Sequence, residues 1–261
     1  ASRLFEMPEL KLLADAVESA GFITEKKSRE LIRKLESLAS RGEARELQRQ
    51  VYVSDRLKNI DEKIYYNIDA LHRAISKGVQ IRFLYFNWAL DFNRPDKIYR
   101  EFRHNSEFYC VSPWALTWDN ENYYLIAYDA SAPEGSRIRN YRVDKMEKIQ
   151  LTDKHREGAQ HFRDNFSPAA YSRKMFGMFT GHEERVRLRC RKDAINILRD
   201  RFGKELMVQP DDGAHFFASV TVALSPQFYA WVVGLNGAVR IVGPQSVCEA
   251  FRKLLLEQLE E

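Results

Sequence analysis

Asp119-Asn120-Glu121-Asn122-Tyr123-Tyr124-Leu125-Ile126-Ala127-Tyr128 is the stretch whose reading decides the fold. Asp119 to Asn122 form a cluster of short polar side chains that bond their own backbone and favour a turn. Tyr123 to Tyr128 are aromatic, aliphatic and small residues that suit a buried strand. A turn feeding directly into a strand predicts antiparallel pairing with the segment before it. Upstream, Glu107 to Ser112 leads into Pro113-Trp114-Ala115-Leu116, and Tyr99 to Phe102 is compatible with a strand. Val79 to Phe86 alternates, with Val79, Ile81 and Phe83 on one face and Arg82, Leu84 and Phe86 on the other. Downstream, Asp129 to Arg137 contains Pro133 and Gly135 and reads as a loop, and Arg139 to Val143 reads as a strand. Five short strands with tight turns and no helix between them predict a small antiparallel barrel.

The chain before the barrel is helical. Leu10, Leu13, Ala14 and Val17 recur at helical spacing over Leu10 to Ala20. Thr24 is placed to cap a second helix, Glu25 to Ser40, whose stripe is Leu31, Ile32, Leu35 and Leu38. Gln50 to Val53 reads as a short extended segment, and Lys63 to Lys77 as a helix stopped by Gly78. After the barrel, Thr152 to Gly181 is polar and reads as a linker with short helices. The remainder alternates clearly. It runs strand (Glu184 to Cys190), helix (Asp193 to Phe202), strand (Leu206 to Gln209) and strand (His215 to Ala223). A helix follows (Pro226 to Val233, capped by Ser225), then a strand (Ala238 to Val242) and a terminal helix from Pro244. The order β-α-β-β-α-β-α predicts a ferredoxin-like α/β sandwich. The class is α+β, divided as 1–60 helical connector, 61–152 barrel, 153–182 linker and 183–261 sandwich.

Composition narrows the function classes. Of 261 residues, 44% are hydrophobic and 30% charged, which fits a globular chain. No run of eighteen apolar residues and no secretion signal occur, so the expected setting is cytoplasmic, without a membrane. Three scattered cysteines, Cys110, Cys190 and Cys248, suggest neither a disulfide framework nor a zinc site. Net charge is +4, and between Asp153 and Arg201 twelve Lys/Arg stand against seven Asp/Glu. Such a basic stretch suits an acidic partner, though a solvated surface is the commoner explanation.

Catalytic signatures are missing. There is no G-x-G-x-x-G, P-loop, G-x-S-x-G or H-E-x-x-H, and Gly234-Leu235-Asn236-Gly237 reads as a helix stop and turn. The six histidines fit no metal spacing, so no metal, no cofactor and no enzyme are predicted. The barrel segment combines Tyr85, Trp88, Tyr109, Trp114, Tyr123, Tyr124 and Tyr141 with Arg82, Arg103, Arg139 and Arg142. Arginine suits bidentate recognition of phosphate, and an aromatic face stacks on a base. The plainer alternative is that the aromatics are core and the arginines pair with Asp129 or Asp144. By period two, Arg139 and Tyr141 share one strand face and Arg142 lies on the other.

Four ordered elements in this region resemble the WYL family. Tyr123-Tyr124-Leu125 is similar to the Trp-Tyr-Leu signature that names it, with Tyr123 in place of the usual Trp. Ile81-Arg82-Phe83-Leu84-Tyr85 resembles its first barrel strand, and Ser112-Pro113-Trp114-Ala115-Leu116 its P-x-x-L element. Arg139-Asn140-Tyr141-Arg142-Val143-Asp144-Lys145-Met146 resembles its R-x-F-R-x-D-R-I strand, with Lys145 for the usual Arg. The first two helices look like the family's connector after a winged helix-turn-helix, and the tail looks like its C-terminal WCX extension. The winged helix itself is missing, as expected of a piece of a longer regulator.

The resemblance implies a Sm-like, SH3-type five-stranded barrel that senses a ligand. In some relatives that ligand is nucleic acid, including single-stranded DNA. By position it implies Tyr85, Tyr123, Arg139 and Arg142 as ligand contacts, with Ser112 and His104 behind them. The expected protein is the sensing and dimerisation part of a bacterial transcription regulator. It would be a homodimer, bind operator DNA through the missing domain, and take nucleic acid or a phosphorylated small molecule in the barrel. The alternatives are an accessory single-stranded nucleic-acid-binding protein without an operator, and an enzyme for which no motif exists.

Overall fold

The protein is described here from a computed structural model, which covers residues 5–39, 63–162, 166–204 and 206–259. It divides into two compact units, 1–159 and 160–261. The expected extended segment at Gln50 to Val53 lies outside the described residues.

In the first unit, α1 (Met7–Ser19) and α2 (Glu25–Glu36) form a helical pair. A capping box starts α1: the Glu6 N–H donates to Glu9 Oε2 at 2.7 Å, satisfying a donor that the helix leaves open. Thr24 caps α2, accepting from the Lys27 N–H at 3.2 Å. Leu10 and Ala14 are buried against Leu35 and Ala39, while Leu12, Leu13 and Leu38 are exposed. The expected stripe on α2 is thus half-buried at Leu35 and open at Leu38.

Helix α3 (Ile64–Lys77) ends at a left-handed Gly78 and lays Ile64, Leu71 and Ala74 on a curled antiparallel sheet. The sheet has six strands: β1 (Val79–Asp91), β2 (Arg94–Phe102), β3 (Tyr109–Asp119), β4 (Asn122–Tyr128), β5 (Ile138–Arg142) and β6 (Met146–His155). The order is β2-β1-β3-β4-β5, with β6 also paired to β1. Asn120 and Glu121, both at positive φ, make the expected tight turn between β3 and β4. Ile81, Phe83, Val111, Leu125, Ala127 and Val143 are sealed beneath α3. Each large side chain so buried contributes roughly 1.5–3 kcal/mol.

The five-strand expectation is corrected in two places. Strand β6 is hidden in the sequence because Met146 falls out of phase with the alternation of Ile149 and Leu151. An extra residue in its pairing with β1 between Arg82 and Leu84 breaks the period of two, and Lys148 there has a φ of 52°. Strands β1 and β2 also run on as a two-stranded ribbon, pairing Trp88 with Arg100 and Leu90 with Ile98. Its side chains are largely exposed, so no one-sided burial marks it in the sequence.

The second unit carries a four-stranded antiparallel sheet in the order β10-β7-β9-β8. The strands are β7 (Glu183–Arg191), β8 (Val208–Pro210), β9 (His215–Ala223) and β10 (Val239–Gly243). The helices are α4 (Pro168–Lys174), α5 (Ile195–Phe202), α6 (Pro226–Gly234) and α7 (Gln245–Glu257). Val186, Leu188 and Cys190 point inward and are fully buried with Leu198, Phe228 and Val247. Ser225 caps α6, accepting from the Phe228 N–H at 3.3 Å. Gly181 is required by contact: a Cβ there would lie 2.0 Å from the Leu224 carbonyl oxygen. The α+β expectation holds for the whole.

Candidate functional site

The unbroken β4–β5 register decides where the two candidate arginines go. Leu125 pairs with Tyr141 and Ala127 with Arg139, while Tyr124 pairs with Arg142. Leu125, Ala127 and Tyr141 belong to the core under α3, so Arg139 leaves β5 on the inner face and Arg142 on the outer one. Nothing in β5 bulges to bring them to one side.

The inner face is aromatic. Tyr85 from β1, Tyr109 from β3 and Tyr141 from β5 surround Phe83. Tyr85 and Tyr141 meet edge to face at 5.5 Å between ring centroids, and Tyr109 stacks on Phe83 at 5.5 Å. This wall ends in a polar cluster at the start of the loop after β4. Asp129 is buried; its Oδ1 accepts from the Ser131 N–H at 3.0 Å and the Ser131 hydroxyl at 2.6 Å. Its Oδ2 accepts from the Tyr141 hydroxyl at 3.4 Å and lies 3.5 Å from Arg139 Nε. Burial, and then the Asp129 charge, push the Tyr141 phenol well above its ordinary range. The Arg139 side chain keeps 40% of its surface exposed, while its buried Nε lies near the carboxylate without a hydrogen bond to it.

Arg142 is held differently. Nε and Nη2 donate to the two oxygens of Asp144 at 3.0 and 2.8 Å, and Nη2 also donates to Asn122 Oδ1 at 2.8 Å. Burial opposes its charge most strongly, but the Asp144 hydrogen bonds and charge, with smaller contributions from Tyr124 and Tyr85, together outweigh it and raise its pKa. Beside it, the Lys145 ammonium is lowered, first by burial and then by Arg142. The Arg142 backbone N–H donates to the Tyr85 hydroxyl at 3.2 Å, which joins two of the expected contacts through main chain rather than through the guanidinium. Burial pushes the Tyr85 phenol up to about 12.

The other candidates sit apart. Tyr123 packs edge to face on Phe22 at 5.0 Å and on Trp118 at 4.8 Å, fastening the turn between α1 and α2 to the sheet. Ser112 is buried, and its hydroxyl accepts from the Glu157 N–H at 2.8 Å. Trp114 donates to the Glu157 carbonyl at 2.9 Å, and Gly158 passes so close to Tyr128 that a Cβ would lie 2.4 Å from its ring. His104 stands in a turn where His104, Asn105 and Ser106 all have positive φ, and its ring lies 5.2 Å from Tyr109. Three consecutive non-glycine residues in that region store backbone strain, which often accompanies a working site. A cavity of 100 Å³ lies beside Asp144, lined by Lys63, Asn67, Met146, Glu147 and Lys148.

Sequence reasoning missed Asp129 as the organiser of this cluster, having placed it only as a pairing partner. An Asp at the end of a strand, two residues before a Ser, is the available signal, since its side chain can cap the loop. The left-handed turn at 104–106 carries no glycine and had no signal. Among the described residues no cluster of His, Cys, Asp and Glu could hold a metal ion. No helix among them is long and apolar enough to cross a membrane.

Among solved structures, the chain is similar to proteasome accessory factor B/C (PafBC) of Arthrobacter aurescens. Identity is 19%, the match covers 95% of this chain and 35% of that one, and the TM-score is 0.34. It is also similar to a CRISPR Cas-related protein, at 12% identity over 87% of this chain and 60% of the other, with a TM-score of 0.41. The chain therefore spans about a third of the first and three fifths of the second. No curated protein sequence matches it. The WYL domain matches residues 66–151, and the WCX domain matches residues 182–259. The chain therefore carries a WYL domain followed by a WCX domain.

Proposed function

We propose that this chain is the effector-sensing and dimerisation part of a transcription regulator, with the inner face of the curled sheet as its ligand site. The observation that carries this is the pairing of an aromatic wall with a half-exposed Arg139 facing Asp129, inside a WYL domain. A guanidinium held by a single carboxylate can exchange it for a phosphate, which offers the same bidentate geometry with more charge. A neutral ligand has no such means of separating the pair. The ligand is therefore a nucleic-acid strand or a phosphorylated small molecule. Its phosphate goes to Arg139, while Arg142, on the opposite face of β5, supports the site through its backbone N–H on the Tyr85 hydroxyl. Tyr85, Tyr123, Ser112 and His104 complete the proposed set, with an aromatic ring stacking on the attached nucleoside. The site binds and does not catalyse.

In this proposal the curled sheet is the SH3-type, Sm-like barrel, supported by β6 pairing with β1. The second sheet is the ferredoxin-like sandwich, supported by its β10-β7-β9-β8 order. Operator DNA is read by a winged helix outside these residues, and the exposed Leu12, Leu13 and Leu38 contribute to a homodimer. Phe22, packed on Tyr123, is the route by which ligand in the sheet reaches α1 and α2. A ligand acts through it only when it binds two arrangements with different affinity.

The test is titration of a labelled five-nucleotide single-stranded DNA, and separately of a nucleotide, into the protein and its Arg139→Ala/Arg142→Ala variant at two salt concentrations. Salt-sensitive binding lost in a folded variant supports the site. Binding unchanged in the variant, or none by the parent to either probe, overturns it.

A further inference from the structure

The basic stretch of the sequence resolves into one face of the second sheet. Arg185, Arg187, Arg189 and Arg191 alternate along β7 with the buried Val186, Leu188 and Cys190, so all four stand on the outer face. Successive rungs are about 6.6 Å apart. On β10, Arg240 pairs directly with Arg189. On β9, Thr221, Ser219, Phe217 and His215 pair with the four arginines in turn.

The charges are compensated unevenly. Arg189 is bonded to Asp211 and Asp212, and Arg191 to Asp193. Arg185 and Arg240 have no carboxylate partner among the described residues. The Arg187 guanidinium lies over the Phe217 ring at 4.1 Å. Like charges directly opposite on neighbouring strands destabilise a sheet, and Arg189 against Arg240 is such a pair. A fold that keeps this pair, with hydroxyls and a guanidinium-covered ring beside it, carries a charge arrangement that its own stability does not require.

We propose that the outer face of this sheet is a single-stranded nucleic-acid platform, separate from the site on the curled sheet. Arg185 and Arg240 meet backbone phosphates, and the open side of the Arg187 guanidinium stacks on a base. Ser219 and Thr221 hydroxyls bond to sugar or base edges. An open sheet face presents to unstacked bases what a duplex groove cannot admit, which selects a single strand over a duplex. Planar stacking on Arg187 likewise favours a base over an acidic peptide, which has only charge to offer.

The experiment is fluorescence anisotropy of a labelled twenty-residue oligothymidylate with the full chain across a salt series. Three proteins are compared: the parent, Arg185→Ala/Arg187→Ala/Arg240→Ala, and Arg139→Ala. All three substituted arginines of the triple variant are exposed, and circular dichroism with thermal melting verifies its fold. The triple variant is expected to bind about tenfold or more weakly, and its salt slope to flatten by about 1.4, since Arg185 and Arg240 each lose a phosphate contact that contributes about 0.7 on a single strand. Arg187→Lys alone keeps charge but loses planar stacking, so it should weaken binding without changing the slope. A triple variant that binds as the parent does overturns the platform; if Arg139→Ala alone abolishes binding, the strand belongs wholly to the curled sheet. Loss in the triple variant with Arg139→Ala unaffected supports the platform and leaves the sensing site to its own test. Equal displacement by unlabelled duplex, or by polyglutamate, overturns the single-strand assignment in favour of general polyanion attraction.

Discussion

On the curled sheet each candidate arginine faces a carboxylate, Arg139 with Asp129 and Arg142 with Asp144, whereas on the second sheet Arg185 and Arg240 face none. Both regions set arginine beside aromatic rings, but in different electrostatic states. Paired arginines stabilise the fold until a competing anion displaces the partner. Unpaired ones add little to the fold and attract any polyanion from the start. A site of the first kind discriminates by competition, and one of the second kind by shape and stacking.

The sharpest way to break that contrast is to remove the carboxylates. Asp129→Ala strips the acceptor from the Ser131 N–H, its hydroxyl and the Tyr141 phenol, all part-buried or buried. It should cost about 3 kcal/mol, because buried donors are left without partners. Asp211→Ala on the exposed sheet removes one surface ion pair of Arg189 and should cost under about 1 kcal/mol. Urea denaturation of both variants measures the difference, and equal costs would erase the distinction between the two sheets.

Legibility in the sequence divides along a related line. Features set by local backbone chemistry were readable: the Thr24 and Ser225 caps, the Asn120-Glu121 turn, the alternation of β7. The opposite facing of Arg139 and Arg142 was also readable, because the period of two in β5 is unbroken. Features set by partners distant in sequence were not. Strand β6 was obscured by its own bulge, and the β1–β2 ribbon by its lack of a buried face. The role of Tyr123 depends on Phe22, about a hundred residues away, and no pattern near Tyr123 announces it.

That contact gives the next test. Phe22→Ala removes a half-buried ring that touches both Trp118 and Tyr123, and should cost about 2 kcal/mol, less than a fully buried phenylalanine. If α1 and α2 report ligand in the curled sheet through this ring, hydrogen exchange in α2 should respond to ligand in the parent and not in the variant. A response preserved in Phe22→Ala would place the coupling elsewhere.

Tyr85 separates stability from charge by pH. An unfolded tyrosine ionises near pH 10, while native Tyr85 does so near 12. Below pH 10 both states keep the proton and the contribution is complete. Above it the unfolded state ionises first, so stability falls as pH rises and the contribution is lost as pH passes the native value. Tyr85→Phe should cost about 1 kcal/mol at neutral pH, through the Arg142 N–H left without its acceptor. It should also shallow the alkaline decline without abolishing it, because Tyr141 is shifted in the same direction. An alkaline decline as steep as the parent's would mean that Tyr85 is not held neutral by burial.

The smallest expected effect bears most directly on the second sheet. Arg240→Glu replaces a like-charge pair with an opposite-charge pair across from Arg189, and should raise stability by a few tenths of a kcal/mol. If that face binds a strand, the same substitution should weaken oligothymidylate binding. A single change that stabilises the fold while impairing binding is hard to obtain from damage, because a disrupted sheet loses both. Stabilisation with unchanged binding would instead mark Arg240 as a residue of the solvated surface, and would leave the platform to Arg185 and Arg187 alone.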